Sequence, residues 1–201
     1  MNITVIKEDA VTTSRWAGGE SKQYFIYPLD SDYVSRNFMF RLSMATSNSD
    51  GEAKYSNLEN FTRYLIMLEG KSRVFHKNRY NIDMEPYKEI DVFDGGWESS
   101  AIGKVTDFNM MLSKNCEGMM SVVDKSGIIT INDLCETCNK KYNWLAFFCG
   151  LGYASFKISD NEIFNISKGD LILFEEISSE LKINVSLENS KLIRMDICCC
   201  K

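Results

Sequence analysis

Hydrophobic and polar residues alternate with a period of two along most of the chain. From Phe38 to Ala45 every second residue is large and apolar, whereas the positions between them include Arg41 and Ser43. Similar patterns predict strands at Tyr24–Tyr27, Tyr64–Leu68, Ile128–Ile131, Trp144–Phe148, Leu171–Phe174 and Lys191–Cys198. Helical periodicity is weak, and residues 132–142 are the one segment predicted as a short helix. Many short strands separated by Gly, Asn, Asp and Ser favour a sandwich or barrel.

An internal repeat follows from the same pattern. The segment Tyr64–Phe93 reads as strand, glycine turn, strand, polar turn and strand, and Trp144–Phe174 repeats this order. The repeat aligns Tyr64 with Trp144, Gly70 with Gly150, His76 with Phe156, Glu89 with Asp170 and Phe93 with Phe174. We therefore predict two lobes, 1–118 and 119–201, and N-terminal strands may be exchanged between them.

Composition narrows the class of protein. The 201 residues are 44% hydrophobic, which is enough for a packed core. A net charge of -5 without a basic stripe argues against nucleic acid and anionic membranes as partners. No apolar run approaches the roughly 20 residues of a membrane helix, and the N-terminus does not resemble a signal peptide. We expect a cytoplasmic protein that is a monomer or a homodimer.

Cysteine and histidine counts limit the metal chemistry. The seven cysteines include a CxxC at Cys135 and Cys138 and a cluster at Cys198–Cys200, and without an export signal we expect reduced thiols. The role of these two groups stays open. Protein sites for transition metals commonly use several histidines, whereas this chain has only His76. We therefore expect no metal and no cofactor.

Five sequence blocks resemble the HutD/Ves family in order and spacing. The blocks are SRWAGGESKQYFIYP (Ser14–Pro28), FMFRLSMAT (Phe38–Thr46), NFTRYLIMLEG (Asn60–Gly70), VFDGGW (Val92–Trp97) and TDFNMML (Thr106–Leu112). In addition, the turn Ser167–Asp170 resembles the P-x-G-D turn of cupin barrels. The resemblance implies an all-β bicupin with two jelly-roll lobes and little helix.

The same resemblance implies a function. One branch of the family is associated with histidine utilisation and with an intermediate such as N-formylglutamate, and no firm enzymatic activity defines the family. We expect an accessory or regulatory protein that binds a small polar carboxylate metabolite in its N-terminal barrel. One departure weakens this expectation, because Glu20 and Ser21 follow Gly19 where many relatives carry neutral residues.

Candidate ligand-binding residues come from the alternation and from the family blocks. Arg41 and Ser43 share the polar face of an otherwise apolar strand, and either line a wet cavity or face solvent. Asp107 and Asn109 share one face of their strand in the same way. The expected ligand-binding set is Trp16, Gly18, Gly19, Arg41, Ser43, Arg63, His76, Asp107 and Asn109. For Arg63 a salt bridge with Glu69 is an equal alternative, for Trp16 a core position, and for His76 a strand edge.

Two other functions stay open. A metal-independent isomerase or hydrolase would use Glu20, Asp107 and His76 as acid and base, and needs at least two of them at one cavity. A structural or interaction protein would instead use exposed edge strands and the cysteine tail as its contact surface.

Overall fold

The computed structural model describes residues 1–16, 18–131, 142–177 and 181–199. Within it the chain forms two compact units, which we call the N-lobe (Val11–Lys114) and the C-lobe (Met1–Ala10 with Asn115–Lys201). The predicted lobes, 1–118 and 119–201, assigned the first ten residues to the other lobe. No helix in the described ranges is long and apolar enough to cross a membrane.

Strands account for nearly all of the regular structure in these ranges. In chain order they are β1 (Asn2–Ile6), β2 (Thr13–Trp16), β3 (Gly19–Tyr27), β4 (Phe40–Ser47), β5 (Ala53–Lys54), β6 (Phe61–Glu69), β7 (Ser72–His76), β8 (Tyr80–Met84), β9 (Ile90–Asp94), β10 (Ser99–Ile102), β11 (Val105–Ser113), β12 (Cys116–Val123), β13 (Gly127–Ile131), β14 (Tyr142–Ser159), β15 (Glu162–Ser167), β16 (Leu171–Glu175) and β17 (Leu181–Cys199). One 3-10 turn, Glu8–Ala10, follows β1. The all-β class is confirmed. The helix predicted at 132–142 lies outside the described residues, except that Tyr142 begins β14.

The N-lobe contains two antiparallel sheets. The larger has the strand order β2-β3-β4-β11-β6-β9, and the smaller has the order β5-β10-β7-β8. At the centre of the larger sheet, Asn109 of β11 pairs with Ser43 of β4 and with Leu65 of β6. Because side chains on one face of a sheet lie next to one another, this register brings the polar positions of β4, β6 and β11 together.

The apolar positions of the N-lobe form two buried clusters. One contains Leu65, Met67, Val74 and Phe93, and the other contains residues near Phe38 and Phe61. On the opposite face of β4, Phe40 stacks with rings of β3. These apolar contacts hold the larger sheet in place around the polar positions of β4, β6 and β11.

The C-lobe is built around two long strands, β14 and β17, which pair with each other along much of their length. The first part of β14 also pairs with β16, and its last part pairs with β15. β17 also pairs with β12 and β13, and β1 closes the edge beside β16. The interior holds a cluster that includes Phe147, Phe156 and Phe174, all fully buried.

Strand pairing confirms a repeated order of strands and corrects the alignment of the two copies. The turns after β6 and within β14 contain Gly70 and Gly152, whose φ angles are 77° and 75°. A Cβ at either glycine would clash with a backbone oxygen of a neighbouring strand or turn, so both need glycine. Gly70 therefore matches Gly152, rather than Gly150 as the sequence alignment predicted.

The same two-residue shift changes the partner of His76. Val74 pairs with Ile82 in the N-lobe, and Phe156 pairs with Phe164 in the C-lobe. Phe156 thus corresponds to Val74, and Ile158 is the match for His76. The predicted match of Phe93 with Phe174 agrees with the pairing of β9 and β16. The C-lobe copy is one residue shorter between the strand that contains Ile82 and the strand that contains Phe93, and low identity between the copies hides this from the sequence alignment.

The expectation of reduced thiols is wrong for two cysteines. Cys116 and Cys199 face each other in the antiparallel pair of β12 and β17 and form a disulfide, with 4.0 Å between their Cα atoms. Only this register places the two thiols side by side, since 83 residues separate them in sequence. Cys135, Cys138 and Cys200 lie outside the described residues.

Candidate ligand site

A cavity of about 370 Å³ opens within the N-lobe. Its floor is the polar face of β4, β11 and β6, which contributes Arg41, Ser43, Arg63, Asp107 and Asn109. The remaining wall comes from β2, β3, the loop before β4 and the segment around β5. This volume suits a small metabolite, because typical ligand pockets begin at about 300 Å³.

Arg41 is held in place by neutral hydrogen-bond acceptors. Its Nε donates to Gln23 Oε1 at 2.8 Å and its Nη1 donates to Ser43 Oγ at 2.7 Å. A longer bond of 3.4 Å runs from Nη2 to Ser21 Oγ. The guanidinium also lies 4.5 Å from the centre of the Tyr33 ring. Burial, reinforced by repulsion from other arginines, lowers the pKa of Arg41 to about 10, so it keeps its charge at neutral pH.

Arg63 is less well satisfied. Among the described residues it makes one hydrogen bond, from Nη2 to Asn109 Oδ1 at 2.8 Å. Its Nε is buried without any partner. The guanidinium lies near the rings of Tyr55 and Phe93, at 4.9 and 5.1 Å from their centres. Burial lowers the pKa of Arg63, and a buried donor without a partner carries a free-energy cost of about 1–3 kcal/mol.

Neither guanidinium is neutralised by a carboxylate contact. Within the described ranges no acidic oxygen lies within 4 Å of Arg41 or Arg63, and the predicted alternative of an Arg63–Glu69 salt bridge is not formed. Two cations therefore share one partly dry cavity, which is costly unless an anion enters.

Asp107 and Asn109 continue the floor of the cavity beside Arg63. Asn109 Nδ2 donates to Asp107 Oδ1, while Asn109 Oδ1 accepts the bond from Arg63. Burial raises the pKa of Asp107 to about 7, against the opposing effects of Arg63 and Asn109. Burial thus favours the neutral form of this carboxyl group far more than in a solvent-exposed aspartate.

Trp16 lies at the rim of the cavity with its side chain 44% exposed, so it is not a core residue. Gly18 packs against the Trp16 ring, where a Cβ would clash with the indole. Gly19 pairs with Ser47 of β4, and its missing Cβ leaves room for the carbonyl oxygen of Thr46. The two glycines therefore serve the packing of the rim and of β3 on β4. Neither lines this cavity, and both line a second, more open pocket of about 470 Å³ together with Trp16 and Glu20.

His76 lies outside the cavity wall in a buried polar cluster. Its Nδ1 is 2.7 Å from Ser99 Oγ, and its Nε2 is 2.8 Å from Asp91 Oδ2. Asp91 also accepts a hydrogen bond of 2.7 Å from Tyr80. In hydrolase triads the histidine contacts serine through Nε2 and the acid through Nδ1, and here both contacts are reversed. All three groups are buried, so the cluster has the features of a structural one.

The remaining acid predicted for catalysis also lies elsewhere. Glu20 is next to Ser21 on β3 and points to the face opposite the cavity, since Ser21 lines it. Of Glu20, Asp107 and His76, only Asp107 reaches the cavity. The described residues contain no cluster of three or more His, Cys, Asp or Glu side chains able to hold a metal ion.

Several cavity residues were not predicted from the sequence. Ser21, which lines the cavity, and Gln23, which accepts a hydrogen bond from Arg41, alternate along β3 and were open to the same reasoning that identified Arg41 and Ser43. Tyr33 and Tyr55 come from loops, where no periodic pattern indicates which side chains turn inward. Their positions depend on the tertiary structure.

Comparison with solved structures defines the class. The chain matches a conserved protein of unknown function, PA5104 from Pseudomonas aeruginosa PAO1, with a TM-score of 0.83 at 12% identity over 98% of this chain and 99% of that chain. HutD from Pseudomonas fluorescens SBW25 matches with a TM-score of 0.76 at 16% identity over 96% and 98%. The pirin YhhW from Escherichia coli, solved with nickel(II), gives 0.65 at 10% identity over 97% and 98%. The fold is that of a bicupin.

The family follows from the sequence comparison. The HutD family model matches residues 8–193, and the chain belongs to this family. A search of curated protein sequences found no match.

Proposed function

We propose that this HutD-family protein binds a small carboxylate metabolite in the N-lobe cavity, and that binding serves an accessory or regulatory role in amino-acid utilisation. The observation that carries the proposal is the pair of buried guanidinium groups, Arg41 and Arg63, without an acidic partner. A guanidinium and a carboxylate form bidentate, charge-assisted hydrogen bonds. These bonds offset the free-energy cost of burying the guanidinium better than hydrogen bonds to water do.

Arg63 is the expected anchor for the anion. Among the described residues it uses only Nη2 in a hydrogen bond, so donors of its guanidinium remain unused at the cavity wall, whereas Arg41 already donates to Gln23 and Ser43. Arg41 then supplies long-range attraction and a rigid wall. The ligand-binding set expected from the sequence contains both arginines without assigning them different roles.

The cellular part of the proposal rests on the family. Histidine utilisation and a cytoplasmic location are proposed from the HutD family alone. We also propose that no nucleic acid or membrane partner is involved, because the net charge is -5.

A metal-independent enzyme is the second candidate, and Asp107 is the observation that favours it. A pKa of about 7 suits a general acid or base at neutral pH. The predicted partners, Glu20 and His76, do not reach the cavity, so binding remains the first proposal. Incubation with the carboxylates that bind, followed by NMR analysis, would reveal any product.

A thermal-shift screen tests the binding proposal. Wild type, Arg63→Gln and Arg41→Gln are heated with mono- and dicarboxylates, and with chloride at the same ionic strength. A carboxylate at a hundredfold its dissociation constant should stabilise wild type by about 2.7 kcal/mol. This stabilisation should vanish in Arg63→Gln and weaken in Arg41→Gln.

The matched control is Arg73→Gln, which removes an exposed arginine of the same lobe that pairs with Asp83. It should respond to carboxylates as wild type does. Equal shifts in wild type and Arg63→Gln would contradict the assignment of the cavity, and no shift with any carboxylate would contradict the function.

A further inference from the structure

A chain of hydrogen bonds connects the proposed anchor with a buried acid. Arg63 donates to Asn109 Oδ1, and Asn109 donates through Nδ2 to Asp107 Oδ1. The other carboxyl oxygen, Asp107 Oδ2, has no hydrogen-bond partner among the residues described. Both ends of this chain line the cavity and have unused hydrogen-bonding capacity: Arg63 donates only through Nη2, and one carboxyl oxygen of Asp107 accepts no bond among the described residues.

The charged and titratable groups around Asp107 come from each neighbouring element. They are Arg63 on β6, Arg41 on β4, Arg15 on β2, Lys54 and Tyr55 at β5, Tyr33 in the loop before β4, and Asp91 on β9. Asp91 is engaged by His76 and Tyr80. Arg63 is thus the cation most directly coupled to the Asp107 carboxylate, through a single intervening side chain.

Resting on the proposed binding function, we propose that Asp107 couples occupancy of the cavity to uptake of one proton. When an anion binds Arg63, the carboxylate of Asp107 takes a proton from solvent and becomes a neutral carboxyl group. No bond in the ligand is made or broken. The new O–H at Oδ2 can then donate to the anion.

Electrostatics gives the direction of this coupling. A bound anion neutralises Arg63, which is the charge that favours ionised Asp107, and adds a second negative charge nearby. Both effects favour the protonated form. The pKa of Asp107 in the empty cavity is already about 7, so a modest further rise converts the carboxylate to the acid near neutral pH.

Isothermal titration calorimetry with succinate and acetate tests the coupling. At about pH 7.5, titrations in buffers of different ionisation enthalpy should show net uptake of a fraction of one proton per anion bound. Above about pH 7 the affinity of wild type should fall by up to about tenfold per pH unit, because the empty site must first regain its proton. Both anions stay fully ionised in this range.

Two variants isolate the responsible group. In Asp107→Asn the proton uptake and the pH dependence should both disappear, while Glu20→Gln removes a carboxylate on the opposite face of β3 and should behave as wild type. If Asp107→Asn fails to fold, the wild-type proton uptake decides alone.

The outcomes separate this inference from the function beneath it. Carboxylates that stabilise the protein without proton uptake would overturn the coupling and leave the binding function intact. Absence of any carboxylate binding, in calorimetry and in the thermal-shift screen, would overturn both.

Discussion

In the N-lobe, Arg63 pairs with Met111 on one neighbouring strand and with Phe93 on the other. At the corresponding position of the C-lobe, Leu145 pairs with Asp196 and Phe174. By the same comparison of strand pairing, Asp107 of the N-lobe is equivalent to Leu192 of the C-lobe, and Arg41 is equivalent to Met119. One scaffold thus surrounds a polar cavity in one lobe and a filled apolar interior in the other. The difference lies in the inward-facing side chains, since the order of the strands is shared.

The position that Asn109 occupies in the N-lobe is occupied by a charged residue in the C-lobe. By strand pairing this residue is Arg194, which forms two hydrogen bonds of 2.8 Å with Asp196. The C-lobe thus pairs its arginine directly with an acid, whereas among the described residues no acidic oxygen lies within 4 Å of Arg41 or Arg63 in the N-lobe. This difference is why we propose the N-lobe, and not the C-lobe, as the binding lobe.

Phe147→Ala should break the filled lobe most severely. Phe147 is fully buried among Phe156 and Phe174, and truncating a buried phenylalanine costs about 3–5 kcal/mol. Urea unfolding measures this loss. Carboxylate stabilisation of the remaining folded protein should be unchanged, and its loss would show that the C-lobe takes part in binding.

His76→Leu should separate structure from binding within the N-lobe. The substitution leaves Asp91 buried without its imidazole partner, at a cost of about 3 kcal/mol. The C-lobe has Ile158 at the matching position and no such acid to satisfy. Affinity for carboxylates should stay within about twofold, and a large fall in calorimetry would return His76 to the ligand site.

Asp107→Asn should stabilise the N-lobe at neutral and higher pH, and this stabilisation should be absent at acidic pH. Burial raises the pKa of Asp107 from 3.8 to about 7, so between these values the native state holds a proton that the unfolded chain has lost. The free energy of unfolding therefore falls as pH rises through this window. A shift of about 3 pKa units corresponds to at most about 4 kcal/mol, so the variant should be more stable than wild type at about pH 8 and no different near pH 4.

For Asp170 in the C-lobe we expect the opposite change of the free energy of unfolding with pH. Although burial acts to raise it, hydrogen bonds from Lys7, Ser167 and the Glu8 amide lower the pKa of Asp170. Its contribution is present above its unfolded pKa and is lost as pH falls through the folded value. Asp170→Asn should therefore destabilise at neutral pH, and urea unfolding at several pH values compares the two variants.

Replacing an alanine by leucine should have the smallest effect on stability. It should also distinguish the cavity of the N-lobe from the packed interior of the C-lobe. Ala45 lines the cavity, whereas Ala154 is fully buried in the C-lobe cluster. Ala154→Leu should cost about 1–3 kcal/mol through overpacking, while Ala45→Leu should cost less than about 1 kcal/mol and weaken carboxylate binding. Equal costs in urea unfolding would contradict a hollow N-lobe.

Alternation along strands predicted much of the site. Arg41 and Ser43, and also Asp107 and Asn109, share a strand face by parity alone, and the structure directs both pairs into the cavity. Parity cannot show which strands are neighbours, so the meeting of these pairs across β4 and β11 was not predictable. The one histidine was misleading, because the sequence did not reveal Ser99 and Asp91 as its partners.

The all-β class, the repeated order of strands and the HutD family could be inferred from the sequence, because periodicity and family motifs are local in the chain. The structure was needed to show that Gly152, not Gly150, matches Gly70, that Cys116 meets Cys199, and that Arg63 Nε is buried without a partner among the described residues. Each of these depends on register between strands distant in sequence. A shift of one or two residues there changes which side chains meet, and local pattern does not record it.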